Sequence, residues 1–399
     1  MMGQAPALKL RDFRILMAAT FFASITHGEN VILGWVILEL TDSPFMVGLA
    51  MGIRHAPAFF LGVTAGTMAD LVDRRKLMRS LLVLSALVAL TLGLLLASER
   101  AQLWHLLVIP AFAGAISMMF NTTQQSFVFD LVGRQYGLNG MSYIGLAMRG
   151  GAMVGALAVG FALAKSGPGT GYFVIVVTCC VSLTLLGLIR SRGRAAPAGT
   201  TSMVTGFSEF WKELRNNRTV LALVLIVVLV ELFGFTSIVL MPSIARDVWN
   251  LGPGGLGILS AFSSGGGIAA LALVSLLGNI SNQGRSFIVV ILLFGVALIV
   301  LGVAPSIYIA VIAIVILSGM MALSDLFSQT LIQKLVPNDL RGRAMGAWTS
   351  AVGTAPIGNL EIGALASLFG ITIALALHGT ALITLAVVIF ITFRKLRSI

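Results

Sequence analysis

The sequence has little charge and little cysteine. Only 10% of its 399 residues are charged, whereas a typical soluble domain carries about 25%. Its two cysteines, Cys179 and Cys180, are adjacent within an apolar run, so they lack the spacing of a metal site and do not favour a disulfide. These scarcities argue against a soluble globular domain and against a disulfide-rich or zinc-binding fold. We interpret both cysteines as packing or lipid-facing residues.

Motifs for catalysis and nucleotide binding are also missing. The sequence contains no HExxH, no Walker A segment and no paired acidic metal motif, and its four histidines are scattered. The net charge is +11, but the basic residues lie in short loops between apolar runs rather than among aromatics on a soluble surface. That distribution is typical of membrane topology and not of nucleic-acid binding. We therefore expect no enzyme activity, no metal or other cofactor, and no nucleic-acid partner.

Long apolar runs are what the sequence has in abundance. Hydrophobic residues make up 58% of the chain and the mean hydropathy is +1.00. Runs longer than ~18 residues predict membrane-spanning helices, and they are unlike the short alternating strands of a membrane barrel. We predict an all-α membrane protein with twelve spans, at residues 13–40, 45–72, 77–98, 103–130, 137–164, 169–190, 219–246, 254–279, 285–303, 306–334, 341–369 and 371–393.

The positions of the basic residues predict the orientation. Twelve spans place both termini on the same side of the membrane, and the basic N-terminus leads into a run too long for a signal peptide. Most of the 26 Lys and Arg residues fall on that side, and the opposite loops contain only Arg100, Lys165 and Arg246. Cytoplasmic loops carry the excess of basic residues. We therefore expect the protein to lie in the inner membrane with both of its termini in the cytoplasm.

The longest polar interruption divides the chain into two halves. Residues 1–190 and 219–399 each contain six predicted spans, and residues 191–218 connect them. Within this linker, Phe207, Phe210 and Trp211 recur at helical spacing, which predicts a short amphipathic helix on the inner leaflet. A plain linker turn is the alternative. A duplicated six-helix unit is the architecture of many two-halved transporters.

The loop between spans 2 and 3 carries a recognisable motif. It reads GTMADLVDRRKLM and fits the pattern G-x-x-x-D-x-x-x-R-R with Gly66, Asp70, Arg74 and Arg75. On this motif the chain resembles the major facilitator superfamily over its full length. The stretches LTDSPFMVGLA and LVPNDLRGRAMGAWTSAVGTAPIG are similar to its bacterial efflux branch, which includes siderophore and drug exporters. The resemblance implies two pseudo-symmetric six-helix bundles, usually in a monomer, that work by alternating access.

The resemblance also implies a conformational latch on the cytoplasmic side. Asp70 would contact the start of span 11, and Arg74 would pair with an acid at the end of span 4, which is Asp130 here. The alternative is that this loop only satisfies the positive-inside rule. In the second half, the equivalent loop GNISNQGRS has Asn282 at the acidic position and only Arg285, so we expect that half to lack a full latch.

Several ionisable residues fall inside the predicted spans, where each charge costs about 2.5–3.5 kcal/mol unless it faces a cavity or a partner. Glu29 and Arg54 lie at similar depth on adjacent antiparallel spans, so we predict an ion pair, with either a structural or a functional role. Arg149 and Glu231 lie near the middle of their spans. Because burial favours the protonated form of a carboxylate, Glu231 is our main candidate for proton coupling. A substrate-cation contact and a structural carboxylate remain alternatives.

Polar pairs repeat on spans 4 and 10. Asn121 and Gln125 share one helical face, and a shift of 204 residues places Asp325 and Gln329 at the same positions. The resemblance implies that spans 1, 4, 7 and 10 line a cavity, so the pairs predict its floor; interhelical hydrogen bonding is the alternative. We expect Glu361 to act in gating.

The three histidines inside predicted spans are interpreted separately. They are His27, His55 and His378. We expect them to be hydrogen-bonded packing residues rather than proton carriers.

These features together predict a secondary transporter that exports a small organic molecule, with protons as the coupling ion and the lipid bilayer as its surroundings. An importer or a uniporter of the same fold is the nearest alternative. A membrane-embedded enzyme would require catalytic motifs that the sequence lacks. A non-transporting scaffold would not require polar groups in the middle of its membrane helices.

Overall fold

The computed structural model describes residues 6–133, 136–191, 193, 218–277, 282–336, 348–393 and 397, without the side chains of residues 6, 58–71, 138, 218–219 and 277. Within these residues all regular secondary structure is helical. The prediction of an all-α protein is therefore confirmed.

The first half forms seven helices. They are α1 (Arg11–Ser24), α2 (Glu29–Thr41), α3 (Pro44–Leu71), α4 (Arg74–Ala97), α5 (Leu103–Val132), α6 (Gly137–Ser166) and α7 (Pro168–Leu188).

The local sequence explains where several of these helices begin or end. The Asp73 carboxylate caps α4 by accepting hydrogen bonds from the backbone nitrogens of Arg75 and Lys76, at 3.0 and 3.2 Å. Gly133 and Gly167 end α5 and α6 with positive φ angles of 75° and 83°, which glycine adopts without steric cost.

The second half continues with helices and two irregular turns. Helix α8 spans Arg218–Phe233 and is followed by a 3₁₀ turn (Phe235–Leu240), a single α turn (Met241–Ser243) and a π turn (Ile244–Val248). The remaining helices are α9 (Pro253–Leu277), α10 (Gln283–Gly302), α11 (Ile307–Leu335), α12 (Ala355–Phe369) and α13 (Ile371–Thr392). Residues 348–352 form a further helical turn before α12.

Membrane spans can be assigned to these helices. Among the described residues, ten helical stretches are long and apolar enough to cross a bilayer. Of the two other predicted spans, 45–72 corresponds to α3, and the second part of 341–369 corresponds to α12, whereas residues 341–347 lie outside the described residues. The twelve-span prediction agrees with this arrangement. The predicted amphipathic helix of the linker lies outside the described residues.

The chain folds as two compact units. The first unit comprises residues 1–42, 53–199 and 250–261, and the second comprises residues 43–52, 200–249 and 262–399. Each unit therefore includes one short segment from the other half of the sequence. Glycine permits the close packing of these segments. In the second unit, a Cβ on Gly48 would lie 2.3 Å from the carbonyl oxygen of Asn359; in the first, a Cβ on Gly160 would lie 2.7 Å from the Cα of Gly257.

The first and seventh spans are both interrupted. Helix α1 ends at Ser24, and the 3₁₀ turn Ile25–Gly28 separates it from α2. Helix α8 ends at Phe233, immediately before Gly234 and its own 3₁₀ turn. The shift of 209 residues that aligns Pro44 with Pro253 also aligns Ile25 with Gly234. The two halves therefore break the corresponding helix at the corresponding place, and each break leaves backbone carbonyls without their usual helical partner.

His378 of α13 covers the break in the seventh span. Its Nδ1 lies 3.1 Å from the carbonyl oxygen of Phe233, the last residue of α8, and its ring packs edge-on against the Phe233 ring with centroids 5.5 Å apart. Because a carbonyl can only accept, Nδ1 is the donor. His378 is buried, with 1% of its surface exposed, so it is the hydrogen-bonded packing residue that the sequence predicted.

Replacing His378 tests how much this hydrogen bond stabilises the second unit. An asparagine amide can donate from nearly the position of Nδ1, whereas leucine cannot. We expect His378→Leu to lower the free energy of unfolding by about 1–3 kcal/mol, and His378→Asn to retain most of the stability. Thermal unfolding of the purified protein measures both, with the exposed Thr380→Val as the matched control on α13. Equal losses in the two variants would contradict this role.

Candidate functional site

The predicted ion pair between Glu29 and Arg54 is present in the first unit. Glu29 begins α2 directly after the break in the first span, and Arg54 extends from α3 so that its Nη1 donates to the Glu29 carboxylate. The exposed fractions of the two residues are only 6% and 5%. A buried pair of this kind is stable only while both partners are present, because removing one leaves an uncompensated charge.

The surroundings of the pair are tightly packed and partly polar. A Cβ on Gly114 would lie 1.8 Å from the carbonyl oxygen of Arg54, so only glycine lets α5 approach α3 here. The phenol of Tyr172, on α7, is fully buried and within electrostatic reach of Glu29 and Arg54. The sequence offered no signal for this third member of the cluster, because tyrosine is also common as a plain packing residue.

Charge reversal separates the structural role of the pair from a functional one. We expect Arg54→Leu alone to destabilise the protein by about 3–5 kcal/mol, since it leaves Glu29 buried and unpaired. The double variant Glu29→Arg with Arg54→Glu should restore much of that stability. Unfolding in detergent and transport in liposomes measure the two effects, with the exposed Arg11→Ala as control. A double variant as unstable as Arg54→Leu would argue against the pair as the stabilising interaction.

A polar pocket lies beside the break in the first span. Its walls come from the end of α1, from the break itself, from α4 and from α5, and they enclose a small cavity of about 30 Å³. The polar lining residues are Ser24, Thr26, His27, Ser85, Ser117 and Asn121. Although His27 is surrounded by protein, much of its surface is accessible, because it faces this opening.

The two members of the polar pair predicted on span 4 differ in their relation to this pocket. Asn121 lines the pocket, whereas Gln125, one turn along α5, is exposed and is not among the lining residues. Sequence reasoning missed the serines, because serine in a membrane helix usually bonds to its own backbone. It also assigned His27 to packing, although the residue faces the opening.

In the second unit, two acidic side chains interact electrostatically. Glu231 lies in the last turn of α8, with 3% of its surface exposed, and the Asp325 carboxylate of α11 acts on it electrostatically. Gln329 lies one turn further along α11 and is half-buried. The two predicted acids of spans 7 and 10 are thus neighbours. Arg149 on α6 and Glu361 on α12 are half-buried, and neither lines the pocket of the first unit.

The arginines of the loop motif connect α4 to α5 and α7 at one end of the first unit. Arg74 Nη1 lies 2.7 and 2.6 Å from the two carboxylate oxygens of Asp130, which confirms the contact that the resemblance implied. Arg75 instead donates to the carbonyl oxygens of Leu186 and Gly187 in the last turn of α7, at 3.1 and 2.6 Å. Cationic donors at a helix C-terminus satisfy its free carbonyls.

The same end of α7 has a second anchor. Asp12 accepts hydrogen bonds from the backbone nitrogens of Arg190 and Ser191, at 3.1 and 2.8 Å, and from the Ser191 hydroxyl at 2.6 Å. The predicted latch contact of Asp70 with the start of span 11 lies outside the described residues. Gly66 lies within α3, in the stretch whose side chains are not described.

Solved structures share this fold. A mutant of the nucleoside transporter NupG matches with a TM-score of 0.79 over 96% of this chain and all of that chain, at 11% identity. A transporter of the POT family in complex with 5-aminolevulinic acid matches with a TM-score of 0.81 over 97% of each chain, at 12% identity. At such low identity these similarities establish the fold and nothing about cargo.

Sequence relatives identify the family. The enterobactin exporter EntS of Shigella flexneri is 24% identical over 96% of this chain and 92% of the relative. The staphyloferrin A transporter of Staphylococcus aureus (strain NCTC 8325 / PS 47) is 22% identical over 92% of both. A model of the transmembrane secretion effector family matches residues 3–399. The chain therefore belongs to the transmembrane secretion effector family, a branch of the major facilitator superfamily of membrane transporters.

Proposed function

We propose that this transporter exports a siderophore-like organic molecule across the bacterial inner membrane in exchange for protons. Support for the direction and the cargo comes from the relatives, which are named as siderophore exporters or transporters and align over more than nine tenths of their length. Support for the orientation, with both termini cytoplasmic, comes from the basic residues. We further propose that the transporter works as a monomer by alternating access.

The proposal of proton coupling is supported by the position of Glu231 beside Asp325. Two carboxylates that interact electrostatically in apolar surroundings are most stable when one of them is protonated. Such a pair takes up a proton when it meets the acidic side and releases it when its surroundings change. Glu231 also lies two residues before Phe233, where α8 ends, so a change in the break would move its carboxylate.

The remaining predicted residues keep narrower proposed roles. Arg74 and Asp130 hold the cytoplasmic end of the first unit, and we propose that their contact, with Asp70, forms the conformational latch. We propose that Gln125, Gln329 and Arg149 line the cargo path and that Glu361 acts in gating. An importer or a uniporter of this fold is the alternative, and the direction of flux decides between them.

Proton coupling is tested in liposomes that contain the purified protein and carry an imposed pH gradient. With enterobactin and staphyloferrin A as the cargo panel, we expect the gradient to accelerate wild-type flux in the direction opposite to the proton movement. Glu231→Gln should lose at least about 10-fold of this acceleration, because it has no proton to exchange, and should retain cargo exchange without a gradient. The exposed Glu39→Gln is the control.

Two outcomes would refute the proposal in different ways. If Glu231→Gln kept the full dependence of flux on the pH gradient, the coupling role of Glu231 would be wrong. If the wild-type protein moved cargo only in the direction of the protons, or showed no dependence on the gradient, proton-driven export itself would be wrong.

A further inference from the structure

One face of helix α4 is exposed along most of the length of the helix. Its large exposed residues are Val83, Leu84, Leu87 and Leu94, which helical periodicity places in a single stripe. Lys76 and Arg79 are also exposed, and they continue this stripe into the first turns of the helix. The stripe is therefore apolar for most of its length and positively charged where the helix begins.

Helix α7 has the same distribution in the opposite chain direction. Its exposed residues include Val177, Cys180, Thr184 and Leu188, which also share one face of the helix. Arg190, which follows the end of α7, is exposed as well. The backbone at this point is fixed by Asp12, which accepts hydrogen bonds from the nitrogens of Arg190 and Ser191. This second stripe also ends in a positive charge.

The two stripes lie on neighbouring helices. Near the start of α4, Arg75 donates to the carbonyl oxygens of Leu186 and Gly187 in the last turn of α7. Near the other end of α4, a Cβ on Gly93 would lie 3.2 Å from the Cβ of Tyr172, close to the start of α7. The two helices therefore run antiparallel and in contact, and the charged ends of both stripes lie at the same end of the first unit.

Arg79 lies at the seam between α4 and α7. A step of four residues along a helix turns by about 40°. Arg79 comes four residues after Arg75, which meets α7, and four residues before Val83, which is exposed. Its side chain therefore starts between the face of α4 that contacts α7 and the exposed stripe. Lys76 lies about one turn earlier on α4, and Arg190 follows the adjacent end of α7.

The positive charges of Lys76, Arg79 and Arg190 are not neutralised by the protein. Within the part of the chain that the structure describes, no carboxylate lies within ion-pair distance of any of the three side chains. Arg74, in contrast, is paired with Asp130. This end of the first unit therefore presents three cations beside two apolar surfaces, and the occupant that they favour is an anion with a hydrocarbon part.

Membrane topology alone does not account for this arrangement. The excess of basic residues on one side of a membrane requires no particular position on a helix face. Helix α10 (span 9) corresponds to α4 (span 3) in the second half, and it too has an exposed stripe, formed by Val289, Leu293, Val296 and Val300. The sequence supplies the start of that stripe with a single basic residue, Arg285. The cluster of cations thus distinguishes α4 from its counterpart.

We propose that the exposed seam between α4 and α7 binds one anionic phospholipid of the membrane. The lipid phosphate contacts Arg79 at the seam, with Lys76 and Arg190 beside it, and the acyl chains lie on the two apolar stripes. A headgroup with a net negative charge matches these cations, whereas a zwitterionic headgroup brings its own ammonium group to them. With the orientation proposed above, the site lies in the inner leaflet. The proposal requires neither the cargo nor the coupling ion to be as we propose.

Two lipids with the same acyl chains test the headgroup: dioleoylphosphatidylglycerol and dioleoylphosphatidylethanolamine. Native mass spectrometry of the full-length protein in detergent measures the affinity of each lipid, without cargo and without a pH gradient. We expect phosphatidylglycerol to bind at least about 5-fold more tightly than phosphatidylethanolamine, because only its headgroup has a net charge. Glycerol 3-phosphate supplies a phosphate without acyl chains, and we expect it neither to bind at the lipid concentration nor to displace the lipid.

Matched double variants locate the site. Lys76→Gln with Arg79→Gln should reduce the preference for phosphatidylglycerol to less than about 2-fold, because the cations that read the headgroup are gone. Lys76→Arg with Arg79→Lys should keep the preference, since it keeps both charges. The control is Arg100→Gln with Arg285→Gln, which removes equal charge from the loop after α4 and from α10 and should also keep it. The preference is a ratio between two lipids on one sample, so a general loss of stability does not imitate its loss.

The proposal is overturned if the two lipids bind equally well to the wild-type protein, or if glycerol 3-phosphate binds as tightly as phosphatidylglycerol. It is also overturned if the glutamine variant at Lys76 and Arg79 keeps the wild-type preference, or if the control pair loses as much of it. Lipid preference without proton-driven flux would support this site and refute the proposed function, and proton-driven flux without lipid preference would do the reverse.

Discussion

Hydrocarbon offers no hydrogen bonds, so each polar group inside a membrane helix needs a partner within the protein. The buried contact between Glu29 and Arg54 satisfies this constraint for two charges at once. The hydrogen bond from His378 to Phe233 satisfies it for a backbone carbonyl at a broken helix.

The two halves interrupt corresponding membrane helices, but the residues beside the two interruptions have different partners. Both interrupt the corresponding span, and an acidic residue lies close to each interruption: Glu29 directly after the first and Glu231 shortly before the second. In the first unit the acid meets an arginine, which favours a fixed charge. In the second unit it interacts electrostatically with a second acid, Asp325, which favours protonation of one of the two carboxylates. This asymmetry is the physical reason for assigning proton coupling to the second half.

Much of this arrangement could be predicted from the sequence, because the responsible signals are local or simply periodic. Hydropathy predicted the spans, similar depth predicted the pair of Glu29 with Arg54, and the loop motif predicted Arg74 with Asp130. Arg75 was different, since its partners are the carbonyls of Leu186 and Gly187, and a backbone carbonyl has no sequence identity. The break at residues 25–28 was also missed, because the polar stretch around it is short and the apolar runs on both sides were assigned to one continuous span.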